Sequence, residues 1–273
     1  MLLNVLATED TENTENGKCF ALLCVRCGQR LLQWLWSKGW HRRDSASFRS
    51  VKKLERLDEA RTPDGTVLAL YRHDGDYLIR ADGAELMSTR HHHSEDALAE
   101  LACRPLREHA ATRVLIGGLG LGFTLKAALR ILPADAVVVV AELMRAVIDW
   151  NERPDYGLAG AALRDPRVEL RHGDVALVLR ERATAWDAIM LDVDNGPDPM
   201  TTSGNGALYG DAGVRMSAEA LRPGGRLVYW SAQDDRKFER TLRRAGLAVS
   251  TSRVWSHGTS GVLHTLFVAT KND

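Results

Sequence analysis

Val114-Leu-Ile-Gly-Gly-Leu-Gly-Leu-Gly122 runs through a helical stretch, Phe123 to Leu132, into Val137-Val-Val-Val-Ala-Glu142. An apolar run ends in a glycine-rich turn. A helix pattern follows, and a second apolar run ends in one acid, Glu142, 20 positions past Gly122. The order is strand, glycine loop, helix, strand, acid. Glycines let a main chain approach a ligand closely, and a helix N-terminus presents free N–H groups. An acid at the end of the second strand can accept hydrogen bonds from ribose hydroxyls. The loop alone is a weak signal, and the whole series is a much stronger one. It fits two ligands, a dinucleotide or an S-adenosyl sulfonium.

The downstream residues separate these readings. Asp165-Pro-Arg-Val-Glu-Leu-Arg-His-Gly-Asp174 is a strand ending in Gly-Asp, and Trp186-Asp-Ala-Ile-Met-Leu-Asp192 is a strand ending in Asp. Leu221-Arg-Pro-Gly-Gly-Arg-Leu-Val-Tyr-Trp230 reads as a helix end, a turn and another strand. The series resembles the class I S-adenosylmethionine-dependent transferases and, within them, the spermidine synthase family, over roughly residues 61 to 270. The more specific stretches are Asp192-Val-Asp-Asn-Gly-Pro197 with Ala207-Leu-Tyr-Gly-Asp-Ala-Gly213, and Asp82-Gly-Ala-Glu-Leu-Met-Ser-Thr-Arg90. The last is similar to that family's N-terminal hairpin, which ordinary methyltransferases do not usually carry.

Composition sets bounds. The 273 residues are enough for one large α/β domain and a small appendage. Lys plus Arg (36) equals Asp plus Glu (36), so no bulk attraction to nucleic acid or a membrane surface is expected. Four cysteines do not make a disulfide framework, and a reduced cytoplasmic protein is expected. No apolar run is long enough to span a bilayer. Phe20 to Trp36 comes nearest but is broken by Arg26, Arg30 and Gln33.

Three regions are expected. Residues 1–60 open with the polar run Thr8-Glu-Asp-Thr-Glu-Asn-Thr-Glu-Asn-Gly17, continue through an amphipathic pattern at Leu22 to Trp36, and read as a disordered extension. Residues 61–92 read as a small β region. Its strands are Thr66–Tyr71, Tyr77–Arg80 and Glu85–Ser88, with hairpin turns at Asp74-Gly75 and Asp82-Gly83. Residues 93–273 form the catalytic domain, opened by a helix that Ser94 is expected to cap. From Arg113 strands and helices alternate. This predicts a doubly wound, mostly parallel, seven-stranded Rossmann-like α/β sheet, the class I methyltransferase fold, closed by an antiparallel hairpin.

The resemblance implies roles for particular residues. Gly117, Gly118, Gly120 and Gly122 would cradle the methionine-like part of the donor, and Glu142 would hold its ribose. Asp174 would contact adenine, or cap a helix, or do both. Asp192 ends a central strand, where open α/β sheets bind ligands. It would take a proton from the acceptor amine and aim the nitrogen at the sulfonium carbon, with Asp194 sharing the role. The donor would be decarboxylated S-adenosylmethionine or S-adenosylmethionine, with no metal. The partner would be a small-molecule amine acceptor, with no nucleic acid and no membrane, in a possible homodimer.

The chain also departs from that family. Its acidic loop residue is Gly120 here, the second aspartate of its Asp-x-x-Asp loop is Asn195, and its Tyr-His-Glu helix motif falls near Ala97-Leu-Ala99. The donor half therefore reads as intact and the acceptor half as altered. Arg90 and His91-His92-His93 are candidates for contacting an anionic or neutral acceptor. The three histidines make a poor metal site, because neighbours in a strand-to-helix loop point apart. Cys19, Cys24 and Cys27 sit in a Leu-rich helix pattern that does not suit an iron–sulfur cluster. Trp150, Trp186 and Trp230 read as core. The leading function is aminopropyl transfer to an amine. Methyl transfer and a non-catalytic nucleoside-binding protein are the alternatives.

Overall fold

The computed structural model describes residues 53–181, 183–193 and 206–272. The expected helix at 22–36, the three N-terminal cysteines, Asp194 and Asn195 lie outside these residues.

Two sheets are present. Strands β1 (Glu55–Arg61), β2 (Val67–His73), β3 (Asp76–Ala81) and β4 (Ala84–Ser88) form an antiparallel meander in sequence order. Its two tight turns are Asp74-Gly75 and Asp82-Gly83, and both residues of each pair have positive φ. That is the turn geometry whose twist matches antiparallel strands.

Strand β1 was not expected, and it crosses the boundary placed between residues 60 and 61. The reason is physical. Glu-Arg-Leu-Asp-Glu-Ala-Arg is an edge strand with five of its seven residues exposed, so it carries no apolar alternation to read. Asp58 anchors it by accepting a 2.8 Å hydrogen bond from Trp150 Nε1.

The second sheet has the order β10-β11-β9-β8-β5-β6-β7. Its strands are β5 (Arg113–Gly117), β6 (Val137–Glu142), β7 (Val168–His172), β8 (Trp186–Leu191), β9 (Leu221–Ser231), β10 (Leu247–His257) and β11 (Ser260–Lys271). Strands β5 to β9 pair in parallel, and β11 is antiparallel to both of its neighbours. This is the expected doubly wound sheet with its closing hairpin.

Helices cover both faces because alternate residues of each strand face opposite ways. Val114, Ile116, Val138, Val140 and Met190 pack with α1 (His93–Cys103), α2 (Phe123–Ile131), α3 (Arg145–Glu152) and the small sheet's Leu68, Leu70 and Ile79. Leu115, Val139, Ile189, Leu191 and Phe267 pack on the other side. Their partners are α5 (Val175–Glu181), α7 (Asp211–Ala220) and α8 (Arg236–Arg244). Two short helices, α4 (Gly160–Leu163) and α6 (Gly206–Tyr209), complete the set. Trp150, Trp186 and Trp230 are all buried, as expected.

Helix α1 begins one residue before Ser94, and its N-cap is His92, with no side-chain capping bond. Ser94 is fully buried and spends its hydroxyl elsewhere. No helix among the described residues is long and apolar enough to cross a membrane.

The strand order reverses between β5 and β8, whose last paired residues are Gly117 and Leu191. A crevice at such a reversal, beyond the carboxyl ends of the strands, is where open α/β sheets bind ligands.

Candidate active site

The glycine loop joins β5 to α2. Gly117 ends the strand, and its carbonyl accepts a 2.9 Å hydrogen bond from Asp192 N. Gly118 has φ +93°, and a Cβ there would fall 2.1 Å from the carbonyl oxygen of Asp192. Any side chain would separate the loop from the end of β8, so glycine is required where the two meet. A Cβ on Gly120 would lie 2.8 Å from Met87 Sδ, which β4 places over the loop. Asn151 Nδ2 donates to Gly120 O at 2.8 Å, and Asn151 Oδ1 accepts from Ala159 N at 3.1 Å, tying the loop to α3 and to the chain before α4. Gly122 precedes α2, with Ala159 packed against its Cα.

Glu142 ends β6 and is 7% exposed. Its Oε2 accepts from Leu119 N at 2.8 Å and its Oε1 from Met144 N at 2.7 Å. Burial pushes its carboxyl above the usual range, opposed by hydrogen bonds from the Leu119, Met144 and Gly120 main chain. The carboxylate therefore clamps the glycine loop to the strand end. Three main-chain donors on two oxygens leave one lone pair for a ligand hydroxyl.

Asp174 follows β7 and is exposed. Its Oδ1 accepts from Ala176 N at 2.8 Å, a cap on α5, which leaves Oδ2 for a ligand.

Asp192 follows β8. Its Oδ2 accepts a 2.9 Å hydrogen bond from Thr124 Oγ1, in the first turn of α2. Part of Asp192 still reaches solvent, yet packing around its carboxyl raises it to about 6, with the Thr124 bond opposing. Glu95, on the first turn of α1, is raised further, to about 8, by burial and then by the charge of Asp192. Ser94 Oγ donates to Glu95 Oε2 at 2.5 Å, and His264 Nδ1 lies 3.0 Å from Ser94 Oγ. The His264 ring packs on Trp230, with centroids 4.6 Å apart. Burial lowers His264 below the ordinary imidazole value, which favours its neutral form.

Two anionic sites close together in a shielded space resist ionising at once. With Glu95 raised to about 8 and Asp192 to about 6, Glu95 keeps its proton near neutral pH while Asp192 is ionised. This leaves Asp192 as the stronger acid of the pair and the available base.

Arg90, His91 and His92, expected as candidates for contacting an acceptor, each have a neighbour within the protein. Arg90 Nε is 2.5 Å from Asp76 Oδ2, so its charge is matched. His92 stacks on Phe123 at 4.0 Å and binds Asp96 Oδ2 at 2.8 Å, while His91 meets His257 edge-on. Among the described residues no group of His, Cys, Asp and Glu has the arrangement of a metal site.

The predicted residues Gly117, Gly118, Gly120, Gly122, Glu142 and Asp192 thus come together at adjacent strand ends. Asp174 follows the neighbouring strand β7. Sequence reading missed Thr124, His264 and Met87, took Ser94 only as a helix cap, and offered Glu95 beside Asp192 only as an acid that could compensate for lost carboxylates. Thr124, two residues past Gly122, carried a faint signal as a hydroxyl in the first turn after the loop. The others carried none that spacing could show.

No family model matches the chain, and no curated protein matches it in sequence. Solved structures do match. A spermidine synthase from Thermotoga maritima superposes with a TM-score of 0.63 at 17% identity, covering 81% of this chain and 75% of that one. A spermidine synthase in complex with the transition state analogue AdoDATO gives 0.62 at 16% identity, covering 81% and 74%. At such identities the likeness establishes the fold, which is the methyltransferase-like fold of these enzymes.

Proposed function

We propose that this chain is a spermidine synthase-like transferase, moving an aminopropyl group from decarboxylated S-adenosylmethionine to an amine. The observation that carries the reading is the contact between two chemistries. The carboxyl of Asp192, raised to about 6, belongs to a residue whose main chain touches Gly118 of the loop. A donor on the loop would lie beside a base. The fold shared with a spermidine synthase captured with AdoDATO supports the choice of donor.

The residues fit such a donor. Glu142 would accept from a ribose hydroxyl, Asp174 would accept from the adenine amino group, and the loop's main chain would line the sulfonium side. Bound there, the donor supplies an electrophilic carbon next to sulfonium. Asp192 takes one proton from the ammonium form of the acceptor, which frees the nitrogen lone pair, and its link to Thr124 fixes where that nitrogen stands. Asp194 is proposed to share this role, as the next acid in the sequence.

Methyl transfer from S-adenosylmethionine is the second reading. One observation favours it: the loop has Gly120 where a spermidine synthase is expected to carry an acid, and the end of the Met87 side chain lies where a side chain at that position would start. A single assay decides. The chain is incubated with each donor and a panel of putrescine, spermidine, cadaverine and monoamines, and the released nucleoside is identified. Methylthioadenosine supports aminopropyl transfer, and S-adenosylhomocysteine supports methyl transfer. Neither product with any amine would overturn both. Putrescine is expected to be a poor acceptor. Each lost charged hydrogen bond to an ammonium costs about 1.5–3 kcal/mol, and Gly120 and Asn195 stand where carboxylates are expected. Efficient turnover of putrescine would contradict that expectation.

A further inference from the structure

Five large apolar side chains stand exposed among the described residues, and three of them sit on one hairpin: Trp255 at 41%, Val262 at 62% and Leu263 at 38%. The hairpin is β10 and β11. Trp255 pairs directly with Leu263, so these two lie side by side on one face. β10 is also the edge of the seven-stranded sheet, and it is 11 residues long. Edges are commonly blunted by proline, lysine or a bulge. β10 has no proline and no lysine, and its bulge lies only near its end, between Trp255 and His257. Its arginine, Arg253, is matched by Asp234 at 2.6 Å.

We propose that β10 pairs antiparallel with β10 of a second copy of this chain, joining the two sheets into one across a two-fold axis. Arg243 Nη2 donates to Val249 O at 3.0 Å, which marks that carbonyl as pointing away from β11. In an antiparallel strand the main-chain groups point the same way at every second residue. Thr251, Arg253 and Trp255 therefore point outward as well, and no described group takes their N–H or carbonyl. Such an edge is its own complement, because a two-fold axis turns each donor towards an acceptor.

The side chains choose the register. With the axis at Val254, Trp255 stands opposite the partner's Arg253, and Arg253 opposite the partner's Trp255. A guanidinium over an indole face is attractive, and the two tryptophans come within diagonal reach across the axis. An axis at Arg253 would set two like charges directly opposite each other, which is unfavourable. An axis at Ser252 would set Trp255 against Val249, whose carbonyl is already taken by Arg243. Val254 therefore meets its own copy, and Arg253 and Trp255 exchange main-chain bonds with their opposites. One strand pair is at the small end of specific interfaces, so the dimer is weak, with a Kd in the micromolar range. The pairing does not rest on the transfer reading.

The test uses the full chain. Sedimentation at rising concentration should show a monomer giving way to a dimer, and hydrogen exchange at the Arg253 and Trp255 amides should slow as the dimer forms. Trp255→Glu should weaken association at least about tenfold, as the loss of an aromatic anchor does. Val254→Cys should link position 254 to its own copy under mild oxidation, because the two Cβ atoms face each other across the axis. Peptide mass spectrometry tells that link from any made by the chain's own four cysteines. Ser252→Cys should give no such link, since it stands away from the axis. A chain that stays monomeric at every concentration overturns the proposal. So does a dimer that Trp255→Glu leaves intact, or a link at 252 in place of 254. Sedimentation and exchange of the unaltered chain decide by themselves if a variant fails to fold: a dimer whose Arg253 and Trp255 amides exchange as fast as the monomer's also overturns it.

Discussion

At the end of β5 the glycine loop is held by main-chain groups: Gly118 N on Ala141 O, Leu119 N on Glu142, and Gly120 O on Asn151. At the end of β8 the working groups are side chains drawn from α1, α2 and β11, and two of them resist ionising. The loop is tied to its neighbours by these bonds before any ligand arrives. The carboxylate side holds Asp192 and Glu95 in forms that packing disfavours. Functional groups are commonly kept in such strained states, at some cost to the fold. The loop side should therefore lose stability when altered, and the carboxylate side should gain it while losing activity.

The largest effect is expected at Asp192. Asp192→Asn should cut turnover by roughly 10²–10⁴-fold, the range general bases contribute, with an unchanged circular dichroism spectrum. Near-normal turnover would shift the role to Asp194 or remove it. In the unaltered chain, if it acts as proposed, kcat/KM should fall as pH drops through about 6, where Asp192 becomes protonated. A rate level down to pH 5 would contradict a base with that value.

On the loop side, Gly118→Ala should cost about 3 kcal/mol of stability, read from urea unfolding. The new Cβ would collide with Asp192 O at 2.1 Å, in a backbone conformation that alanine rarely adopts. A loss below about 0.5 kcal/mol, the range of ordinary surface changes, would mean that the loop and the end of β8 are not in firm contact.

Glu95→Gln should act in the opposite direction and more weakly. The folded-state carboxyl is raised to about 8 from an ordinary 4.5, so the native state binds the extra proton. Stability then falls as pH rises through that window and is untouched below it. The variant should be more stable by about 1–2 kcal/mol at pH 8.5 and no different at pH 4. Destabilisation at pH 8.5 would show that Glu95 is held as a favourable anion, and the contrast between the two halves would fail.

The main sheet and the glycine loop were legible because their signals are local. Val114 to Glu142 carries strand, loop, helix and strand within thirty residues, and the Asp-Gly turns name their own geometry. Strand β1 was not legible because an exposed edge strand has no apolar period. The start of α1 differs from expectation for a related reason: a serine before an acidic first turn looks like a cap, and only the packed structure shows Ser94 turned towards His264. The proposed acceptor side draws on residues distant in sequence, and Asp194 and Asn195 lie outside the described residues. There the departures at Gly120 and near Ala97 support only the expectation of an altered pocket, and its shape is not written in local spacing.

The most direct measurement is titration calorimetry of methylthioadenosine into the full chain, beside Glu142→Ala and with NAD as a control. Glu142 is the residue that would join the loop to a ribose. The prediction is one saturable site for methylthioadenosine, weakened by about 1–3 kcal/mol in the variant through the loss of charged hydrogen bonds, and no comparable site for NAD. Equal affinity in the variant, or binding of NAD without methylthioadenosine, would contradict a sulfonium-nucleoside site at the ends of β5 and β6.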